Sequence, residues 1–187
     1  GVLESIEEEQ SYGHLALEGA LLLPNGNLKK TDISFHYFSD KFDSQETQIH
    51  LQPSFEFLLG KNTLLTNFSV DILNGSFENN FMGTRSLNYG QLTFSTMALY
   101  PISKNGFDFS IGTQLVHNSD LEKNTQQFYV YPDIQIDYSF DENLWRLYAG
   151  INGGLTQNSY RDFVTSNPYV SPSLNASPTN RVFHVFA

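Results

Sequence analysis

The chain has 187 residues, a formal net charge of -10 and no cysteine. That length suffices for one domain with a buried core. The anionic balance argues against nucleic acid, because it repels phosphates, and the lack of cysteine excludes disulfides and thiolate metal sites. Aromatic residues are abundant, with 16 Phe and 10 Tyr. Mean hydropathy is -0.31, and no run reaches the ~18 apolar residues of a membrane helix. Strands of a membrane barrel escape that test, because alternating side chains average to neutral hydropathy.

Residues 1–10, "GVLESIEEEQ", form an acidic, irregular lead-in that is not a targeting segment. From residue 11 onward, apolar and polar side chains alternate almost everywhere, the signature of strands with one greasy and one wet face. "YGHLALEGALLL" puts Leu15, Leu17, Leu21 and Leu23 on one face, and "DISFHYF" sets Ile33, Phe35 and Tyr37 against Ser34 and His36. In "TQIHLQPSFEF", Ile49, Leu51, Pro53, Phe55 and Phe57 oppose His50, Gln52, Ser54 and Glu56. "LLTNFSVDI" sets Phe68, Val70 and Ile72 against Asp71, and "GQLTFSTMALY" sets Leu92 and Phe94 against Gln91. "FDFSIGTQL", "FYVYPDIQIDYSF" and "WRLYAGINGGL" continue the rule, with Phe109, Ile111, Ile134, Ile136, Leu147 and Ile151 apolar. Asp133, Gln135, Asp137, Arg146 and Asn152 are their polar counterparts. "RVFHVFA" closes a count of about nine strands, and no capped helical period is visible.

The connections read as short turns at 24–27, 60–63, 103–106 and 141–143, alternating with longer links near 40–46, 74–87, 118–125 and 156–180. Tight turns on one side and loops on the other suit a meander that crosses a bilayer. Aromatics gather near the short turns, at Phe57, Tyr100, Phe107, Tyr138, Phe140 and Trp145, where an interfacial girdle belongs. The expected fold is therefore an all-β, antiparallel up-and-down transmembrane barrel over 11–187, part of a larger barrel. An open sheet with unpaired edges is expected for this chain alone.

The prolines Pro53 and Pro132 sit at the same offset of an internal echo. Proline has no N–H for a ladder, so a bulge is expected at each. His50, Gln52, Glu56, Asp71, Gln91, Asp133, Gln135 and Arg146 are expected to face a wet lumen. The five histidines lie singly, without metal-ligand spacing, so a solvated or interfacial role is favoured over a metal site. "HNSD" at 117–120 superficially suggests a Ser–His–Asp set, but such groups normally converge from distant segments. Loop carboxylates at Asp40, Asp43, Glu46, Asp120 and Glu122 lack the spacing of a calcium loop. No catalytic residue, metal or cofactor is expected, and the chain does not read as an enzyme. "RDFVTSNPYVSP", with Arg161, Asp162, Phe163 and Tyr169, suits a loop that folds inward or docks on a partner, or one merely stiffened by proline.

The last third also resembles a known family. Gln157, Asn158, Ser159, Tyr160, Asp162, Phe163, Val164, Asn167, Pro168, Val170, Ser171 and Pro172 form a loop after a strand rich in Gly and Ala. This arrangement resembles TonB-dependent-receptor-like outer-membrane β-barrels, best over 107–187. The resemblance implies a barrel in the outer membrane of a Gram-negative bacterium, with further strands in the longer family members. It implies contact with the bilayer and lipopolysaccharide, and other envelope proteins as further partners. These residues contain neither the plug domain nor the energy-coupling box of an active importer. Three functions stay open: a transport or receptor-type barrel, a non-transporting structural or accessory subunit, and a soluble β-sandwich binding module.

Overall fold

The structure is a computed structural model that describes residues 11–77, 88–140, 145–168, 170 and 176–187. Nine strands follow one another as β1 (Tyr12–Leu22), β2 (Leu28–Asp40), β3 (Gln45–Leu59), β4 (Asn62–Ser76), β5 (Asn88–Lys104), β6 (Phe107–Asp120), β7 (Thr125–Phe140), β8 (Trp145–Thr156) and β9 (Thr179–Phe186). They form one sheet in sequence order, each strand antiparallel to the next. The up-and-down topology is as the alternation predicts. β1 and β9 are the two edges, so the sheet is open in this chain.

Two hairpins carry the shortest turns. Asn105 and Gly106, between β5 and β6, both adopt positive φ, 52° and 79°. Asn-Gly is the pair that a two-residue type I′ turn selects, because its twist matches the flanking strands. Gly60 takes φ 68° between β3 and β4. Two of the long links expected from the sequence are four-residue turns instead, at 41–44 and 121–124. Polar residues that read as loop, Asp40, Gln45, Glu46 and Asn118 to Asp120, pair into the ladders. Genuinely long connections remain at 77–87 and 157–178. The lead-in 1–10 and the turn at 141–143 lie outside the described residues.

Neither proline carries the expected bulge. Register is unchanged across Pro53, which faces Thr31 on β2, but pairing to β4 lapses between Leu51 and Ser54. Pro132 faces Thr113 on β6, and the β7–β8 pairs stop beside it at Asp133. The missing N–H is accommodated by interrupting or ending one ladder rather than by an extra residue. The register shifts lie elsewhere, between Leu28 and Lys30 and between Asn152 and Gly154.

The two faces differ as the sequence pattern demands. Leu17 is 63 % exposed and Phe128 78 % exposed, and none of the apolar-face residues named above for the alternating strands is buried. Among the described residues no second sheet covers that face. The hydrophobic core sits on the opposite, polar face, around Phe38, Leu73, Phe77 and Tyr89. Replacing Leu51, which pairs with Ile33 and Val70, by proline removes a donor from an intact double ladder. Leu51→Pro is expected to cost at least ~1 kcal/mol in urea unfolding. Pro53→Val, two residues along, should cost nothing; equal losses at both positions would contradict this ladder assignment.

Candidate functional site

The polar face is where side chains converge. His50 donates from Nδ1 to Asp71 Oδ1 at 2.6 Å across β3 and β4. Ser69 and Ser95 share a 2.7 Å hydrogen bond, and Gln114 reaches the same Ser95 hydroxyl. Gln91, 3 % exposed, accepts from Asn118, which in turn accepts from Thr93. Gln135 donates to Asp133 at 3.0 Å, and Arg146 Nε donates to Asp137 at 2.6 Å. The eight polar residues singled out from the sequence thus share one face, in two separate groups. His50, Gln52, Glu56 and Asp71 lie on β3 and β4, Asp133, Gln135 and Arg146 on β7 and β8, with Gln91 on β5 between them.

The link 157–178 folds onto this same face. It contains a helix that periodicity does not reveal, α1 (Tyr160–Ser166), only seven residues long. Ser159 caps it by accepting from the Asp162 N–H. A second acceptor comes from far away in the chain: Glu46 on β3 takes the backbone N–H of Tyr160 at 2.6 Å and of Arg161 at 3.3 Å. A carboxylate at a helix N-terminus satisfies donors that have no partner within the helix and meets the positive end of the helix dipole. Glu46 also accepts from the Tyr89 hydroxyl at 2.6 Å. Tyr89 reaches it by lying across Gly75, its cross-strand partner, where any Cβ would overlap the phenol ring.

Tyr160 anchors the helix. Its hydroxyl donates to Asp40 at 2.9 Å, and its ring meets Phe38 and Phe77 edge-on at 5.6 and 5.2 Å. Burial first, then the Asp40 carboxylate, pushes this phenol well above its ordinary pKa, so it remains a donor. Val164 and Ala176 complete the packing. Arg161 Nη2 donates to Gln48 at 3.0 Å, and Tyr12 on β1 donates to the Pro168 carbonyl at 2.6 Å. Asp162 lies exposed, Phe163 is packed at the core margin, and Tyr169 lies outside the described residues.

These contacts fix the shape of the sheet. Four residues separate Thr156, the end of β8, from Tyr160, a reach of at most ~14 Å. In a flat sheet Glu46 on β3 would stand five strands from β8, or ~24 Å at ~4.8 Å per strand. Even with the length of the Glu46 side chain the link falls short of that span. The sheet therefore curls around its polar face, and 157–178 crosses the concavity.

The remaining candidates separate cleanly. His117 points to the apolar face, stacked between Phe94 and Phe128, whereas Asp120 points to the polar face with Gln91. A Ser–His–Asp set at 117–120 is thus not assembled. Asp40 Oδ1 accepts the N–H groups of Phe42 and Ser44, and Asp120 Oδ1 those of Glu122 and Lys123. Both close the four-residue turns, the way Asp commonly does. Among the described residues no group of three or more metal-ligating side chains is placed to hold an ion. Comparison with family models, curated proteins and solved structures found no match.

The sequence offered faint signals for the contacts it did not reveal. Ser159 with Asp162 three residues on is a capping pattern, and Tyr160 with Val164 share one helical face. Nothing local points to Asp40, Glu46 or Tyr89 as their partners. Glu46→Ala leaves two buried donors and the half-buried Arg161 N–H unpaired, at about 1–3 kcal/mol for a buried group stranded in this way. Limited proteolysis should then cut within 157–168 much faster than in the parent protein. Tyr160→Phe should have a milder effect in the same direction, and unchanged cleavage in Glu46→Ala would refute the cap.

Proposed function

We propose that the protein is an outer-membrane β-barrel of the transport or receptor type, whose polar face lines a wet lumen that passes or binds a solute. The observation that carries this reading is the large apolar face that none of the described residues covers. In water such a contiguous surface promotes association, whereas acyl chains accept it without penalty. A β-sandwich would turn the same face toward a second sheet.

The aromatic rings support a bilayer. On the apolar face Phe107 stacks on Tyr138 at 4.1 Å, followed by Phe140 and Trp145, beside the short turns. At the other end His117 lies 4.4 Å from Phe128, with Phe94 adjoining. Ten residues separate Phe107 from His117 on β6, and Phe128 from Tyr138 on β7. That is ~33 Å along a strand, or ~25 Å of height at a barrel tilt near 40°, the usual height of a lipid-facing band. The resemblance of the 157–172 loop to TonB-dependent-receptor-like barrels is in keeping with this reading. Under this reading the edges β1 and β9 must be paired by further strands, because an open edge is not tolerated in lipid.

A second reading has its own observation. The inward-folded link packs a hydrophobic core into one end of the concavity, which suits a structural or accessory barrel that conducts nothing. Both readings place β4 in the membrane, and a pair of substitutions tests that. Val70, near the middle of β4, lies on the apolar face, and Ser69 lies on the polar one. Val70→Arg should weaken membrane insertion by ~2–4 kcal/mol, while Ser69→Arg inserts normally. Equal tolerance of the two arginines would remove the membrane reading altogether. Single-channel recording then separates conduction from a silent barrel.

A further inference from the structure

The carboxylates on the strands are sorted by face, while the strand cation Lys104 pairs with Phe107 on the apolar side. By cross-strand register ten described carboxylates stand on the polar face, among them Asp71, Asp108, Asp120 and Asp133, and none stands on the apolar face. Three strand cations share that face, Lys30, Arg146 and Arg181. Two of them are already engaged: Lys30 lies 2.8 Å from Asp32 and Arg146 lies 2.6 Å from Asp137.

A separate observation sharpens the imbalance. Asp108 and Asp137 face each other directly across β6 and β7, with Arg146 interacting with both. Like charges opposite one another on a sheet oppose folding; Arg146, 2.6 Å from Asp137, offsets part of that repulsion, and the three groups together keep a net negative charge. The acids also run the length of the face, from Asp108 beside a short turn, through Asp133 and Asp71, to Asp120 at the other end. There Lys123 lies 3.2 Å from Asp120, and Arg161 of the link adds one cation over the face, so the excess of acids is greatest along the remaining length.

On the reading that this face lines a conducting lumen, we propose that the barrel selects for cations: small inorganic cations and solutes that carry positive charge. Fixed negative charge along a confined aqueous path concentrates cations and depletes anions, and low-dielectric walls focus that field. The selectivity belongs to the whole face rather than to one binding site, so it should be screened by salt.

The test is the reversal potential of the full-length protein in planar bilayers under a KCl gradient. Working at pH 8 keeps histidines with ordinary pKa values neutral. Potassium should permeate on the order of tenfold better than chloride at ~0.1 M salt. The preference should largely disappear at ~1 M, where the Debye length shrinks to ~3 Å. Joint Asp108→Asn and Asp133→Asn replacement should lower the permeability ratio by about twofold or more, with insertion checked by resistance to urea extraction. Open steps with no cation preference at low salt, or a ratio indifferent to both salt and neutralisation, overturn this proposal and leave the conducting reading intact. An inserted barrel with no steps overturns both.

Discussion

A strand sends successive side chains to opposite faces, and a sheet of nine such strands, in continuous register but for one shift near Leu28 and one near Asn152, inherits that division. One surface collects Leu, Ile, Val and Phe; the other collects every described strand carboxylate. This constraint is geometric, and it leaves little latitude. A slip of one residue in the β2–β3 or β6–β7 pairing would carry carboxylates onto the apolar face. The sheet keeps its register across Pro53 and Pro132, where a ladder hydrogen bond is lost, and the face division survives with it.

What the polar face does follows from its curvature. The link after β8 reaches β3 and β1 only because the sheet bends around it. In return the link brings the aromatic packing that makes a small hydrophobic core on an otherwise polar surface. Glu46 is the junction of that arrangement. It lies among three donors, two from the start of α1 and one from Tyr89, so the helix end and the β5 ring are held by one carboxylate. The absent Cβ at Gly75 gives Tyr89 its room. The concavity is thus narrowed at one end by a folded element and lined elsewhere by amides, hydroxyls and acids.

Much of this was legible in the sequence, for a physical reason. Strand alternation is a local pattern, and nine alternating runs were readable one by one, together with their sequence-order pairing. Two turns were misread as loops because Asp40 and Asp120 look like loop residues, although they cap four-residue turns and pair in ladders at the same time. The helix escaped notice because seven residues are too few for a period, and its N-terminus is completed by a glutamate 114 residues earlier. Such partnerships depend on curvature, which no local window contains. The polar residues of the candidate face were readable as a set, but not the division into a β3–β4 group and a β7–β8 group, for the same reason.

The central claim is that one face meets lipid and the other meets water. The chain has no cysteine, so single cysteines can be placed without background. The most direct measurement is the reaction rate of a charged, membrane-impermeant maleimide with cysteines at successive positions 133–136 of the full-length protein in native outer membranes. The account predicts that cysteines replacing Asp133 and Gln135 are labelled, while those replacing Ile134 and Ile136 are shielded until the membrane is dissolved. Labelling of Ile134 and Ile136 positions as fast as their neighbours, in intact membranes, would contradict it.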